Sequence, residues 1–264
     1  MSFRVKKSLG QHFLIDKNIC RKIVDALDII QGDHVLEIGP GQGALTGFIY
    51  QKGASVFALE KDMDLCGMLK NRLPGVAIVC ADALAVDWSR LDRIPGLKIA
   101  GNLPYNIASR LLWDMALQIE RFDMAVFMVQ KEVGQRIVSS PGSKNYGGLT
   151  VWIQSFWKPQ ILFKVSPRVF RPKPKVDSVV LKFTPLNDEK KFFSSQNLAQ
   201  TIRILFQNRR KQVGTILKTY WNDRINLFFQ ERGISPRSRP ENLSPHVFQG
   251  LSNILFSDNE QILS

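Results

Sequence analysis

"LEIGPGQGALT" (36–46) carries glycines at alternate positions, Gly39, Gly41 and Gly43, directly after an apolar run. A short buried strand that ends in glycines and opens into a helix is the turn by which an α/β sheet brings its backbone against a ligand. Working outward, "HVLEIG" (34–39), "SVFALE" (55–60), "VAIVCAD" (76–82), "LKIAGN" (97–102) and "DMAVFMVQ" (123–130) have the length and apolar character of buried strands. Helix-like "ALTGFIYQKG" and "MDLCGMLKNRL" separate the first three. Ahead of them, "DKNICRKIVDALDII" sets Ile19, Ile23, Val24 and Leu27 on one helical face, with Asp16 as N-cap. This alternation predicts a mostly parallel, doubly wound sheet, the α/β Rossmann-like architecture.

After "KEVGQRIV" the texture changes. "LTVWIQSFW", "ILFKV" and "DSVVLKF" read as closely spaced strands that finish the sheet with antiparallel edges, two of them around the proline-rich "SPRVFRPKPKV". From about residue 187 the strand signal stops, and "NLAQTIRILFQNRRKQVGTILKTYW", "INLFFQERG" and "HVFQGLSNILF" predict about four helices. The expected organisation is a Rossmann-like domain over 1–186 and a smaller all-helical domain over 187–264, divided near "TPLNDEKK".

A formal charge of +13 on 264 residues favours a polyanionic partner, nucleic acid before a membrane surface. Cys20, Cys66 and Cys80 have no CxxC spacing and read as reduced thiols, and three scattered histidines argue against a metal centre. No uninterrupted apolar run is long enough to span a bilayer and the N-terminus lacks a signal-like apolar stretch, so a cytoplasmic protein is expected.

A nicotinamide or flavin site prefers G-x-G-x-x-G with a pyrophosphate on the helix N-terminus. Here the spacing is G-x-G-x-G, and Glu37 stands two residues before the first glycine. An acid there suits a cationic ligand without phosphates, such as S-adenosylmethionine. Glu60, ending the second strand, has the spacing of a carboxylate that bonds ribose hydroxyls, and Asp82, ending the third, can accept from an exocyclic amine. The competing reading makes Glu60 and Asp82 helix caps.

Asn102-Leu103-Pro104-Tyr105 follows the fourth strand, beside this donor site. Methylating the exocyclic nitrogen of adenine requires turning a delocalised lone pair towards the methyl group. The Asn102 side-chain carbonyl and the Leu103 backbone carbonyl are two acceptors for the amino protons, Pro104 stiffens their turn, and Tyr105 offers a ring for an extruded base. Positioned dipoles carry such a reaction without a metal. The bland reading makes Asn102 an N-cap and Tyr105 packing.

With these motifs the chain resembles the ribosomal RNA adenine dimethyltransferases, a family of housekeeping small-subunit enzymes and macrolide-resistance methylases. "KKSLGQHFL", "LEIGPGQGALT", "GNLPYNI", "QKEVGQRIVSSPGSKNYGGLTV", "FRPKPKVDSVV" and "LFQNRRKQV" match its blocks over residues 6 to about 215. "SKNYGGL" and "PKPKVDS" are more similar to the housekeeping branch. The resemblance implies that His12 and Leu14 line the donor site with Gly39, Gly41, Glu60, Asp82 and Asn102, although family members often have Asn where His12 stands. It implies that Phe170 meets the target base. It further implies dimethylation of N6 on two adjacent adenosines near the 3′ end of 16S rRNA, within the small ribosomal subunit or its precursor, during ribosome assembly, by an enzyme expected to be a monomer. Room for the first methyl would be compatible with the small Gly101.

Basic residues gather around these motifs: Arg4, Lys6 and Lys7; Lys131, Arg136 and Lys144; Lys158, Lys164, Arg168, Arg171, Lys173 and Lys175; and Arg209, Arg210 and Lys211. Many belong to a solvated face, but Lys173, Lys175 and the Arg209–Lys211 run are the candidates for phosphate contact. The rivals are a resistance-type 23S rRNA methylase, a non-catalytic assembly or transcription factor on the same scaffold, and a DNA adenine methylase. The last is disfavoured because such enzymes usually carry a second proline in this motif.

Overall fold

The computed structural model describes residue 6, residues 10–186 and residues 193–256; Arg4 and Lys7 lie outside them. The described residues form two compact units. The first runs to Gly134 and resumes with Trp157–Pro185; the second joins Gln135–Phe156 to the residues from Leu186 onward.

The first unit is built on a seven-stranded sheet. In chain order it holds β1 (Phe13–Leu14), α1 (Lys17–Asp25), β2 (His34–Ile38), α2 (Thr46–Gln51), β3 (Ser55–Glu60), α3 (Met63–Arg72), β4 (Ala77–Cys80), β5 (Lys98–Asn102), α4 (Ala108–Gln118) and β6 (Met124–Gln130). The start of α5 (Lys131–Ile137) follows, and beyond α6 (Gly148–Phe156) come β7 (Trp157–Val165), β8 (Phe170–Arg171) and β9 (Ser178–Pro185). The sheet order is β4-β3-β2-β5-β6-β9-β7. β4, β3, β2, β5 and β6 run parallel, while β9 is antiparallel to both β6 and β7. The parallel core and antiparallel edge match the sequence reading.

Local chemistry explains the elements. Asp16 caps α1 by accepting from the amides of Asn18 and Ile19 at 2.8 and 3.1 Å, and Cys20, Ile23, Val24 and Leu27 face the core. β2 is buried from Val35 to Ile38, as a central strand covered on both faces must be. The chain leaves β2 towards β3 and β4 on one side, and β5 continues to β6 on the other. The crevice between β2 and β5 is therefore the topological switch point, where α/β sheets bind ligands.

The second unit holds the rest of α5, then α6, α7 (Ser195–Gln207), α8 (Val213–Ile216), α9 (Asp223–Glu231) and α10 (Pro245–Phe256). Two corrections follow. "LTVWIQSFW" is helical through Phe156. Thr150, Val151, Trp152, Ile153, Ser155 and Phe156 are all buried, so the helix shows no polar face and its apolar run looks like a strand. Because α6 packs with α7 and α10, residues 135–156 group with the helical unit, and a single cut at 186 does not describe the division. Tyr146 fixes this insertion: its hydroxyl donates to the Leu243 carbonyl at 2.7 Å within a fully buried setting.

Candidate active site

A cleft opens at the carboxyl ends of β2, β3, β4 and β5. His12, Leu14, Gly39, Gly41, Glu60, Asp82, Asn102, Leu103, Pro104 and Tyr105 all line it. Thus the structure brings together the expected donor-side residues and the Asn102–Tyr105 turn. Phe170 does not join them. Its side chain is 2% exposed, sits in the core cluster that includes Leu14, Val165 and Val180, and does not line the cleft. β8 pairs with β1, Leu14 opposite Phe170, and the Phe170 ring packs in the core cluster.

The glycine turn is tied to the second strand. Gly41 has φ +57°, a Cβ there would meet the Phe13 ring at 3.0 Å, and its amide donates to Glu60 Oε2 at 3.0 Å. Glu60 Oε1 accepts from the amides of Lys61 and Asp62, both at 2.9 Å. Burial raises the pKa of Glu60, and these three amides partly offset it. The helix after β3 is capped by Asp62, so Glu60 is no cap; it holds the loop and β3 end in register. Asp82 is one: Oδ1 accepts from Leu84 N at 3.0 Å to start a 3-10 turn, while Oδ2 pairs with Lys61 Nζ at 2.7 Å. Lys61 and the Leu84 amide hold this carboxyl below the usual range.

Glu37, named for its position before the glycines, proves to be part of the cleft wall. It is 1% exposed, Oε2 has no hydrogen-bond partner, and burial pushes its carboxyl up to about 7. The Thr46 hydroxyl beside it pulls the other way without reaching hydrogen-bond geometry. The charged residues lining the cleft are Glu37, Glu60, Asp82 and Lys61, so a chain of +13 net charge presents an acidic pocket. A buried carboxylate oxygen without a partner fits a cationic group of a ligand and not a pyrophosphate.

Asp62 was missed from sequence. Lys6 Nζ lies 2.6 Å from its Oδ1 and 2.7 Å from Asp64 Oδ2, and Gln11 Nε2 donates to Asp62 Oδ2 at 2.9 Å. Lys6 is therefore spent within the protein rather than held ready for phosphate. The only sequence signal for Asp62 was its place before a helix, two residues after Glu60.

On the acceptor side, the N-cap position of α4 is Ile107, without a side-chain cap, so Asn102 does not cap the helix. Instead Asn102 Nδ2 donates to the His12 carbonyl at 3.0 Å. That carbonyl can only accept, which fixes the amide orientation and leaves Oδ1 as the free end. Tyr105 is half-buried, with its hydroxyl 2.7 Å from Ser178 Oγ and its ring stacked on His12 at 5.5 Å. Gly101 is small for another reason than methyl room: a Cβ would stand 2.6 Å from the Ile38 carbonyl of β2.

Among the basic candidates, Arg168, Arg171, Lys173 and Lys175 are exposed in the first unit, and Arg210 and Lys211 in the second. Arg209 is committed inside the second unit, with Nε 3.3 Å from Glu241 Oε2 and Nη2 3.1 Å from the Lys144 carbonyl. All three cysteines are free; Cys20 and Cys66 are buried and Cys80 is exposed. Among the described residues, no three His, Cys, Asp or Glu side chains gather as a metal site, and no helix is long and apolar enough to cross a membrane.

Switch-point cleft, glycine turn and strand-end carboxylates together define a Rossmann-like S-adenosylmethionine-dependent methyltransferase. Comparison with known proteins narrows this. The family model described as ribosomal RNA adenine dimethylase matches residues 2–256, and the chain belongs to that family. It is 51% identical to the ribosomal RNA small subunit methyltransferase A of Maridesulfovibrio salexigens over 97% of both chains. It is 39% identical to that of Moorella thermoacetica over 95% of this chain and 92% of the other. A solved dimethyladenosine transferase from Plasmodium falciparum superposes with TM-score 0.76 at 26% identity, covering 94% of this chain and 98% of that one. The 23S rRNA methyltransferase ErmE shares the fold at TM-score 0.69 and 23% identity, covering 92% and 99%.

Proposed function

We propose that this chain dimethylates N6 of two adjacent adenosines near the 3′ end of 16S rRNA, in the small ribosomal subunit or its precursor, using S-adenosylmethionine. The observation that carries the reading is the meeting of an acidic nucleoside-type cleft with the oriented amide of Asn102 at one switch point. Names of relatives that match nearly end to end support the small-subunit substrate.

Gly39, Gly41, Glu60 and Asp82 would hold the nucleoside part of the donor, with Glu37 facing its cationic part. When bound, S-adenosylmethionine supplies an electrophilic methyl group on a cationic sulfur that leaves as a neutral thioether. The protein's work is to aim the nucleophile. Asn102 Oδ1 and the Leu103 carbonyl accept the two amino protons of the adenine, so its lone pair points across the cleft. On gaining the methyl group the nitrogen becomes cationic, and one of its two hydrogen-bonded protons is then lost to solvent water; the amide oxygens orient these protons and do not take them up. Pro104 fixes the turn, and its carbonyl accepts from Ile107 and Ala108 at 3.1 and 3.0 Å to open α4. Neutral acceptors need no tuned protonation. Tyr105 supplies a ring beside the base, and the exposed Lys173 and Lys175 supply phosphate contacts.

Purified small and large subunits lacking the modification, incubated with labelled donor, test this. The expected product is dimethyladenosine in the small subunit alone. Asn102→Ala is expected to lose about a hundredfold or more in turnover, as for removal of an aimed polar group, while still binding the subunit. Exclusive labelling of the large subunit, or no labelling, refutes the reading.

A further inference from the structure

We propose that Asp62 is a positioning residue for the methyl donor: it fastens residues 10–14, which line one side of the cleft, to the end of β3 that carries Glu60. The inference rests on the donor being seated in this cleft, as in the reading above. Asp62 itself is not among the cleft-lining residues. Its side chain is wholly buried, and both carboxylate oxygens are engaged. Oδ1 accepts from Lys6 Nζ at 2.6 Å and from the Asp64 amide at 3.1 Å, and Oδ2 accepts from Gln11 Nε2 at 2.9 Å. A buried carboxylate is tolerated when it is paired and hydrogen-bonded in this way. Burial on its own would raise its pKa, but Lys6, Gln11 and the Asp64 amide together hold it below the usual carboxylate range.

An ionised carboxylate can only accept, which turns Nε2 of Gln11 towards Asp62. The other end of that amide, Oε1, accepts from the Lys6 main-chain N–H at 2.8 Å, so both ends of the Gln11 side chain are tied within the protein. The main chain of Asp62 reaches the opposite side of the cleft. Its amide donates to Glu60 Oε1 at 2.9 Å, while Glu60 Oε2 takes the Gly41 amide at 3.0 Å. One residue thereby connects the glycine turn, the Glu60 carboxylate and the stretch before β1. That stretch is held at two points, by pairing of Phe13 and Leu14 with β8 and by Asp62 at Gln11. Without the second, donor binding has to order Gly10 and Gln11 as well, and preorganisation of that side is lost. Asp62 thus acts on the donor through Gln11 and Glu60, without touching it.

The experiment compares wild type with Asp62→Asn, Lys6→Met and the double variant. Asparagine keeps a side-chain oxygen to cap α3, but it cannot accept from all three donors. Calorimetry measures donor affinity, small-subunit methylation across donor concentrations gives KM and kcat, and thermal denaturation reads stability. Asp62→Asn is expected to weaken donor binding about tenfold, the scale of one charge-assisted hydrogen bond. KM for the donor rises by the same factor, while kcat stays within about twofold because saturating donor restores the order. Lys6→Met shows a smaller loss in the same sense, and the double variant binds donor no worse than Asp62→Asn, since both changes remove one interaction. Should Asp62→Asn not fold, Lys6→Met decides by the same measurements. The proposal is overturned by unchanged donor affinity, by losses that multiply in the double variant, or by kcat and melting temperature falling together with affinity in both single variants. A wild type that neither binds donor nor methylates the small subunit would instead overturn the underlying reading.

Discussion

Glu37 is a carboxyl buried at a cost to the fold, with Oε2 unpartnered. Its carboxyl is pushed up to about 7 by burial, so the folded chain holds this proton at pH values where the unfolded chain has released it. The stability from this group is full below the ordinary glutamate range and is lost as pH rises towards 7. Glu37→Gln keeps a neutral side chain throughout. Without donor, its melting temperature relative to wild type is expected to rise between about pH 5 and about pH 8, read by thermal denaturation. A cationic ligand reverses the preference, since it favours the ionised carboxylate. Donor binding to the wild type should therefore release a proton below pH 7 and tighten as pH rises through that value, whereas Glu37→Gln binds more weakly with a flat profile. An identical pH slope in both proteins would assign the proton to another group. None of this was visible in "LEIG" beyond the presence of an acid: burial depends on what packs over the strand. Asn102 was more legible, because a bare amide at a strand end has few structural duties, but its orientation came only with the His12 carbonyl, far away in sequence.

Among the elements, β2 and β5 matter most, because Gly39 follows one and Asn102 ends the other. Their separation at Gly101 leaves no room for a side chain, the Ile38 carbonyl standing where a Cβ would go. Gly101→Ala is expected to cost about 1–3 kcal/mol, the usual range for overpacking, in a urea titration. Turnover should fall further than stability accounts for, since the added methyl parts the two strand ends that shape the cleft. An unchanged urea midpoint would contradict the close approach. The central parallel strands β2, β5 and β6 were readable because strands covered on both faces are continuous apolar runs. α6 was not, since a helix buried on all sides has the same composition as such a strand. The β1–β8 pair of two residues each was beyond any periodicity, and so was the burial of Phe170 that accompanies it.

At the scale of the whole molecule, the contrast is between a chain of +13 and an acidic cleft. Binding of RNA should weaken steeply with salt through released counterions, whereas donor binding should respond little. Replacing Lys173 and Lys175 together by alanine is expected to reduce the logarithmic salt slope of RNA binding by roughly 2. Arg209→Ala is expected to leave that slope nearly unchanged and lower the melting temperature, because its guanidinium is bound to Glu241 and to the Lys144 carbonyl. Filter binding across a salt series separates the two; an equal slope change for Arg209→Ala would place that side chain on phosphate. Composition announced a polyanionic partner but could not sort engaged cations from free ones, since ion pairs such as Lys6 with Asp62 join residues remote in sequence. The thiol pattern has a practical corollary. Cys20 and Cys66 are shielded and held far from the thiolate form, at about 11 and about 12, so Cys80 is the natural target of a maleimide. A fluorophore there would sit two residues from Asp82, which lines the cleft, so entry of the nucleoside is expected to change its emission without a mutation or a tag.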